Sequence, residues 1–268
     1  MEETTGVQNM SRSKITQIPV SVNDKQRKTQ LENDDLWWTA QKSVSSEDDL
    51  LKQIPLRKKD SAEKIRCLYV IGAHEFQEHQ LLKQTFPNLE KIYLFEPIPQ
   101  LFSKLQKITR PFNYIEVFPY AVSDFDGPTM FNVTDNLASS SLLHFGKHKE
   151  MFPHVNEIEA IPVQCRKLST IIKEHQLIPP DMLFIDVQGT EYMVLSAIPV
   201  EILNNIIFIY TEASTAEVYK ESRPLSDIRT LLDSNFIYLG FAPLTSKITE
   251  HGNALFINVS DALNVPPS

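Results

Sequence analysis

Four residues that could bind or react with a ligand stand directly after short apolar runs of the sequence. They are Gly72, Glu96, Asp186 and Glu212. If the apolar runs are parallel strands of an open α/β sheet, these residues share one edge, because the carboxyl ends of parallel strands lie at the same edge. Ligands of such sheets bind beyond the carboxyl ends of the strands. A glycine turn after the first strand, an acid after the second and further acids after the fourth and fifth together predict a ligand site there.

Glu96 and Gly72 indicate what kind of ligand this site would bind. A carboxylate that ends the second strand can accept hydrogen bonds from both hydroxyls of a ribose; the alternative is an ordinary acid that faces solvent. Gly72 would let the backbone approach the ligand closely. The motif G-x-G-x-x-G is absent, since residues 73–76 contain no glycine. This disfavours a pyrophosphate cradle, and with it a nicotinamide or flavin enzyme, and favours a nucleoside cofactor without phosphates.

The elements that must position these residues alternate between strands and helices. Strands are predicted at residues 67–71, 92–95, 182–185 and 206–210, and helices at residues 76–85, 99–108, 168–175, 191–197 and 225–233. A third strand is predicted around Pro119, over residues 114–117 and 120–122. Residues 129–133 and 158–164 could form an inserted hairpin or small sheet, and residues 236–241 and 254–259 a closing antiparallel pair. Strands that alternate with helices imply right-handed crossovers, so the predicted fold is α/β, with a mixed, mostly parallel seven-stranded sheet and helices on both faces.

Several motifs of this sequence resemble, in their order, those of FkbM-type methyltransferases. They are Val70-Ile-Gly-Ala-His74, Tyr93-Leu-Phe-Glu-Pro97, Tyr120-Ala-Val-Ser-Asp124, Ser139-Ser-Ser-Leu142, Phe184-Ile-Asp-Val-Gln-Gly-Thr-Glu191, Ile209-Tyr-Thr-Glu212 and Asn235-Phe-Ile-Tyr-Leu-Gly-Phe241. The resemblance covers roughly residues 65–259 and leaves the first ~60 residues unexplained. Residues 185–191 form the most specific motif.

The resemblance implies a Rossmann-like class I methyltransferase that uses S-adenosyl-L-methionine and methylates a hydroxyl of a sugar, a polyketide or a related metabolite. Residues 72–74 would pass under the methionine part of the cofactor, Glu96 would hold the ribose, residues 121–124 would lie by the adenine, and Asp186 would lie near the methyl group and the acceptor. Ser140 could donate a hydrogen bond to the cofactor carboxylate or to the acceptor. The predicted cofactor-binding residues are Gly72, Ala73, His74, Glu96, Pro97, Ala121, Val122, Ser123, Asp124, Ser140, Asp186, Val187 and Gln188.

A hydroxyl acceptor also requires a group that removes its proton, because an aliphatic hydroxyl has a high pKa. Asp186 is the first candidate for this base; the alternative is a carboxylate that only holds the cofactor's ammonium group. His144 is a second candidate base, since an imidazole titrates near neutrality, although an exposed loop histidine is the favoured interpretation. Asp186 and Glu212 could instead bind Mg²⁺. A divalent metal is possible but not favoured, because no Asp-Asn pair follows the fifth strand.

Two positions depart from the family's pattern. An acid is common where Val70 stands, and a second glycine is expected where Phe76 stands. Phe76 would crowd the turn or force it open. These departures favour an alternative hypothesis, a catalytically silent cofactor-binding relative that acts as an interaction module through its N-terminal arm and the adjacent Trp37 and Trp38.

The length of 268 residues, with 42% hydrophobic and 22% charged residues, suits one large α/β domain with a polar extension. Residues 1–60 are predicted to be a polar N-terminal arm, partly disordered or docked, because residues 1–35 show little hydrophobic periodicity. Two adjacent indoles at Trp37 and Trp38 would pack against the main domain or a partner. Residues 61–268 are predicted to be the methyltransferase domain.

The charge and the apolar runs exclude several other classes of protein. A net charge of -8 disfavours nucleic acid as the main partner. No run approaches the ~18 consecutive apolar residues of a membrane helix, and the acidic, polar start does not resemble a signal peptide. We therefore expect a cytoplasmic protein whose partner is a small-molecule or glycan acceptor, with no nucleic acid and no membrane. Cys67 and Cys165 have neither CxxC spacing nor a disulfide framework, and both are predicted to be buried thiols.

Overall fold

The computed structural model describes residues 47–263 as strands, helices and short connections. The strands are β1 (Cys67–Ile71), β2 (Lys91–Phe95), β3 (Ile115–Phe118), β4 (Tyr120–Val122), β5 (Gly127–Thr134), β6 (Glu157–Arg166), β7 (Met182–Ile185), β8 (Phe208–Ser214), β9 (Phe236–Pro243) and β10 (His251–Asn258). The helices are α1 (Glu47–Arg57), α2 (Lys59–Lys64), α3 (His79–Thr85), α4 (Pro99–Thr109), α5 (His148–Met151), α6 (Leu168–His175), α7 (Glu191–Ser196), α8 (Val200–Leu203), α9 (Leu225–Leu232) and α10 (Val259–Ala262), with a 3-10 turn at Leu137–Ser139.

Seven strands form the main sheet in the order β3-β2-β1-β7-β8-β10-β9. All neighbours pair in parallel except β10, which is antiparallel to both β8 and β9. The chain passes outward from β1 to β2 and β3 and then returns to place β7 on the other side of β1. The strand order therefore reverses between β1 and β7, the point at which open α/β sheets bind ligands. The predicted mixed, mostly parallel seven-stranded sheet is confirmed.

The central strands are buried on both faces, as a continuous apolar run predicts. In β1, Leu68 and Val70 belong to one apolar cluster, which includes Leu50 of α1 and Leu82 of α3. Tyr69 and its alternate neighbours belong to a second cluster on the opposite face, with residues of α6, α7 and α9. Helices thus cover both faces of the sheet, also as predicted.

A second sheet of three strands, in the order β4-β6-β5, is inserted between β3 and α6. Its apolar side packs Phe131 and Val163 with Ile98 and Leu101 at the start of α4. The insertion was predicted as a hairpin or small sheet, but the single strand predicted around Pro119 is wrong. The chain leaves the main sheet after Phe118, because proline has no N–H to continue the ladder, and β4 pairs with β6 instead.

Two other boundaries differ from the prediction for local reasons. The helix predicted over residues 76–85 begins only at His79, because Phe76 has a φ of 52°, outside the right-handed helical region. The strand predicted to end at Tyr210 continues to Ser214, because β10 pairs with it as far as His251. Glu212 therefore lies within β8 and not after it.

Helix α1 is part of the folded core, although it precedes residue 61. Its residues Leu50, Leu51 and Ile54 are at most 2% exposed, and the helix contacts α3, β9 and β10. The predicted arm before Glu47, with Trp37 and Trp38, lies outside the described residues.

Cys67 and Cys165 are buried free thiols, as predicted. Burial is the main cause that raises the pKa of each to about 12, so both stay protonated and unreactive at neutral pH. Between residues 47 and 263, no helix has both the length and the apolarity that crossing a bilayer requires.

Candidate functional site

The register of the central strands brings the predicted site residues to one edge. Ile71, at the end of β1, is paired with Phe95 on β2 and with Ile185 on β7. The residues that follow these three strand ends, Gly72, Glu96 and Asp186, are therefore neighbours across the sheet.

Gly72 occupies a position that admits no side chain. It has a φ of 83°, and a Cβ atom built on it would lie 1.7 Å from the carbonyl oxygen of Asp186. The backbone N–H groups of Gly72 and Ala73 both donate to the carbonyl oxygen of Phe95, at 3.0 Å. The turn after β1 is thus held against the ends of β2 and β7.

The rest of this turn has an unusual backbone. His74 and Phe76 have φ values of 44° and 52°, in the left-handed region that is uncommon for residues other than glycine. The turn is closed by the N–H of Phe76, which donates to the carbonyl of Ala73 at 2.8 Å. The Phe76 side chain is 5% exposed and lies against the ring of His79, with centroids 5.3 Å apart. The position where a second glycine was expected therefore has a glycine-like conformation but carries a buried phenyl ring.

Glu96 presents a buried carboxylate at this edge. It is 4% exposed, and its two oxygens accept the N–H groups of Ile98 at 2.8 Å and His74 at 2.9 Å. Burial raises the pKa of this carboxyl to about 7, although both hydrogen bonds act to lower it. Each carboxylate oxygen can accept more than one hydrogen bond, so the group can still accept from a ligand's hydroxyls.

These residues surround a cavity of about 320 Å³, at the lower end of the roughly 300–1,000 Å³ typical of small-molecule sites. Of the predicted cofactor-binding residues, those that line it are Gly72, Ala73, His74, Glu96, Pro97, Ala121, Val122, Ser140, Asp186, Val187 and Gln188. The lining residues of the insertion that were missed include Phe131, Leu137, Ala138 and Leu142. Leu142 stands in the Ser-Ser-Ser-Leu motif at residues 139–142, but no local pattern distinguishes the other three from ordinary core or loop residues.

Three predicted site residues do not line the cavity. Ser123 is fully buried next to Val122, and its hydroxyl donates to exposed Asp124 at 3.4 Å. The imidazole of His144 is largely exposed on the insertion, with its Nδ1 2.9 Å from Glu157 Oε2. His144 is thus not brought to the cavity.

A network of polar side chains lies behind Asp186. The Gln188 side-chain Nε2 donates to Asp186 Oδ1 at 2.6 Å and lies 2.9 Å from each carboxylate oxygen of Glu212. The Tyr219 hydroxyl donates to Gln188 Oε1 at 2.5 Å, and His251 Nε2 lies 3.0 Å from Glu212 Oε1. Tyr219 and His251 were missed, because each reaches the network only through long-range contacts.

The amide of Gln188 stands between the two acids that were considered as magnesium ligands. Asp186 and Glu212 both contact the Gln188 Nε2. Within residues 47–263, no group of three or more His, Cys, Asp or Glu side chains is arranged to hold a metal ion. The two acids are therefore bridged by an amide donor in this structure.

Glu191, a third acid, stabilises the turn that carries Gln188. It is 5% exposed, and its carboxylate accepts the N–H groups of Val187 at 3.2 Å and Gly189 at 3.0 Å. Burial, with a smaller contribution from the charge of Glu212, raises the pKa of Glu191.

Comparison with known proteins identifies the family of this chain. Residues 71–241 match the family described as methyltransferase FkbM domain, and the chain belongs to this family of S-adenosylmethionine-dependent methyltransferases. Among curated proteins, the chain is similar to the 2-O-methyltransferase NoeI of Sinorhizobium fredii, with 28% identity over 171 residues, which cover 61% of this chain and 70% of the relative.

Solved structures with a similar fold include two methyltransferases. The methyltransferase FkbM from Methylobacillus flagellatus KT is 15% identical, with a TM-score of 0.48; the match covers 73% of this chain but only 44% of that structure. The N-methyltransferase NodS from Bradyrhizobium japonicum WM9 is 10% identical, with a TM-score of 0.44, and the match covers 78% of this chain and 94% of that one.

Proposed function

We propose that this chain transfers the methyl group of S-adenosyl-L-methionine to a hydroxyl of a glycan or small metabolite. The observation that carries the proposal is that Glu96, the Gly72 turn and Asp186 meet around one cavity. The similarity to a protein named a 2-O-methyltransferase supports a hydroxyl as the acceptor.

The residues around the cavity suit this cofactor. The glycine lets the turn pack against the backbone of Asp186, and residues 72–74 line the cavity there, where they would pass under the methionine part of the cofactor. Glu96 would accept both ribose hydroxyls, and Ala121 and Val122, with the apolar side chains of Phe131 and Leu142, would enclose the adenine. Glu96 is 4% exposed, and a hydrogen bond made in such a buried environment is stronger than one made in water.

The chemistry requires little more than alignment and a base. S-adenosyl-L-methionine supplies a methyl group already activated by its sulfonium. Because displacement on that carbon is in line, the cavity contributes chiefly by orienting the acceptor, which can account for several kcal/mol. Asp186 would accept the hydroxyl proton as the new C–O bond forms. We propose no catalytic role for His144, because its imidazole is paired with Glu157 away from the cavity.

Cofactor binding is tested by calorimetry with S-adenosylmethionine and S-adenosylhomocysteine. We expect both to bind, and Glu96→Ala to weaken both by at least about tenfold, the value of one to two hydrogen bonds to a charged group. Glu201→Gln, which changes an exposed acid of α8, is the matched control and should leave both affinities unchanged. No binding of either compound at millimolar concentration would refute the proposal.

The acceptor class is tested with S-adenosylmethionine that carries a labelled methyl group. The chain is incubated with a panel of oligosaccharides and hydroxylated metabolites, together with amine analogues of the same compounds. We expect label on a hydroxyl oxygen, located by NMR, and its loss in Asp186→Asn. Transfer to the amines alone would contradict O-methylation, and full turnover in Asp186→Asn would exclude that residue as the base.

A second candidate is a silent member of the family that binds the cofactor and serves as an interaction module. The observation in its favour is the ring of Phe76, which lines the cavity at a position where glycine is expected. This candidate predicts normal binding of S-adenosylmethionine and no methyl transfer to any compound of the panel. Recovery of transfer in Phe76→Gly would support it directly.

A further inference from the structure

A hydrogen-bonded chain of side chains runs from the cavity into the core. It begins at Asp186 on the cavity wall, passes through Gln188 to Glu212 on β8, and ends at His251 on β10. His251 lies ten residues beyond the stretch 71–241 that matches the family. Neither Glu212 nor His251 lines the cavity, so neither would contact a ligand there directly.

The amide of Gln188 can take only one orientation in this network. Its Nε2 has two N–H bonds, one directed at Asp186 Oδ1 and the other shared by the two oxygens of Glu212. Its Oε1 accepts the hydroxyl of Tyr219. If the amide were rotated by half a turn, its oxygen would face two carboxylates, which have no proton to donate when ionised. Glu212 and Tyr219 therefore both favour the orientation in which the N–H end of the Gln188 amide faces Asp186.

His251 in turn fixes Glu212. The histidine is 4% exposed and the carboxylate 8%, so the ionised carboxylate depends on its donors. His251 Nε2 donates to Glu212 Oε1, and its Nδ1 lies 2.8 Å from the Ser214 hydroxyl. Because both ring nitrogens have a polar partner, Glu212 on one side and Ser214 on the other, the orientation of the imidazole beside Glu212 is fixed.

We propose that Glu212 and His251 are positioning residues which, through Gln188, hold the Asp186 carboxylate at the cavity wall. The carboxylate held there gives the site a preference for the cationic methyl donor over the neutral demethylated product. The inference rests on the proposed function, because it takes S-adenosylmethionine as the ligand. The donor carries a sulfonium and the product a neutral thioether, so the two differ by one positive charge. A fixed carboxylate at the wall, with a second acid behind it, favours the charged form of the ligand.

The test measures the affinity of each variant for S-adenosylmethionine and for S-adenosylhomocysteine by calorimetry, which needs no acceptor. In Glu212→Gln the affinity for the donor should fall by about tenfold, the order expected for two unit charges roughly 12 Å apart at an effective dielectric constant of about 20, because Glu212 lies behind Gln188 and Asp186. The affinity for the product should change by less than about twofold. His251→Leu should shift the ratio of the two affinities in the same direction, and His251→Gln, which keeps an N–H donor, should restore it. His154→Gln, which alters an exposed histidine of the insertion, is the control.

The possible outcomes separate a positioning role from a structural one. Equal weakening of both ligands, or an unchanged ratio in Glu212→Gln, would overturn the proposal. If the buried variants fail to fold, the unaltered chain still tests it: an analogue with an ammonium-bearing carbon in place of the sulfonium should bind more tightly than the neutral thioether, and weaker binding of that analogue would overturn the proposal. If the unaltered chain binds none of these compounds, the proposed function itself fails, which is a distinct result.

Discussion

At the scale of single residues, the site depends on carboxylates whose burial is offset by backbone donors. Glu96 accepts one N–H group from its own turn and one from the turn after β1, and Glu191 accepts two from the turn before it, yet burial still raises the pKa of both. A carboxyl whose pKa is about 7, such as that of Glu96, couples ligand binding to pH, because hydroxyl donors bind its ionised form better than its protonated form.

The affinity for S-adenosylhomocysteine should therefore depend on pH through Glu96. With a pKa of about 7, the carboxyl is mostly protonated at pH 6, and binding to the ribose must release that proton. The affinity should fall by up to about tenfold between pH 8 and pH 6. Calorimetry across this range should show the slope in the unaltered chain and in Glu201→Gln, and a flat profile in Glu96→Gln. The same slope in Glu96→Gln would assign the pH dependence to another group.

A second residue-scale prediction concerns the glycine turn. Gly72→Ala should destabilise the protein far more than Gly127→Ala. Both glycines have positive φ, at 83° and 140°, but a Cβ at Gly72 would meet the carbonyl oxygen of Asp186 at 1.7 Å, whereas a Cβ at Gly127 would meet no atom of residues 47–263 within 4 Å. At either position a side chain in such a backbone conformation costs about 1–3 kcal/mol; the steric overlap adds to this cost only at Gly72. Urea denaturation measures the two free energies of unfolding, and equal losses would show that the ends of β1 and β7 can separate without cost.

At the scale of elements, the main sheet is completed by parts that precede and follow its central strands. Helix α1 covers β9 and β10, although the sequence placed residues 47–57 in a polar arm. The helix has only a few apolar residues, but three of them, Leu50, Leu51 and Ile54, are buried. We therefore expect this helix to contribute to the stability of the whole domain.

Two leucines of α1 provide a matched test. Leu51→Ala should lower the free energy of unfolding by about 2–5 kcal/mol, as for other buried leucines, because its side chain is 2% exposed. Leu56→Ala, at a side chain that is 75% exposed, should change it by no more than about 0.5 kcal/mol. Both are measured by urea denaturation of the full chain. Equal, small effects would mean that α1 is not docked on the sheet in solution.

At the scale of the whole molecule, buried ionisable groups make stability depend on pH in opposing directions. Burial raises the pKa values of Glu96 and Glu191 from 4.5 to about 7, so both carboxyls ionise less readily in the folded chain than in the unfolded one. Their contribution to the free energy of unfolding therefore falls as the pH rises from 4.5 towards 7. His148 acts in the other direction, because burial lowers its pKa to about 4. Its ring is stacked on Phe145, with centroids 4.0 Å apart, and its Nδ1 has no hydrogen-bond partner among the described residues 47–263.

His148→Phe should therefore protect the protein against acid. The unfolded chain takes up a proton at this histidine below its ordinary pKa of 6.5, whereas the folded chain does so only near 4, so stability is lost as the pH falls between these values. Nearby Glu212 and Glu157 partly oppose this shift, and His251 and Lys149 add to it.

Between pH 7.5 and pH 5 the loss of stability attributable to His148 should be about 2 kcal/mol, measured as the difference in the free energy of unfolding between the unaltered chain and His148→Phe. The exposed control His154→Gln should leave the pH profile unchanged, and a His148→Phe profile parallel to that of the unaltered chain would refute the prediction.

The sequence by itself determined the central strands and the residues that follow them. Apolar runs of four or five residues that end at Gly72, Glu96 and Asp186 specify buried parallel strands, and strand burial depends on local pattern. Because parallel strands present their carboxyl ends at one edge, the neighbourhood of these three residues followed without knowledge of the register. The same local logic failed at Phe76, where the backbone takes the conformation of the missing glycine although the side chain is not glycine.

Only the tertiary structure decided which side chains close the cavity and which side chains support Asp186. Phe131 and Leu142 reach the cavity because a second sheet folds over the edge of the first, and Tyr219 and His251 reach Gln188 and Glu212 from segments distant in the sequence. No local pattern marks such contacts, because the free energy of a buried hydrogen bond depends on partners supplied by the whole fold. For the same reason His144, a plausible base by residue type, lies outside the cavity, while His251, which carried no signal in the sequence, is joined to Asp186 through two intervening side chains.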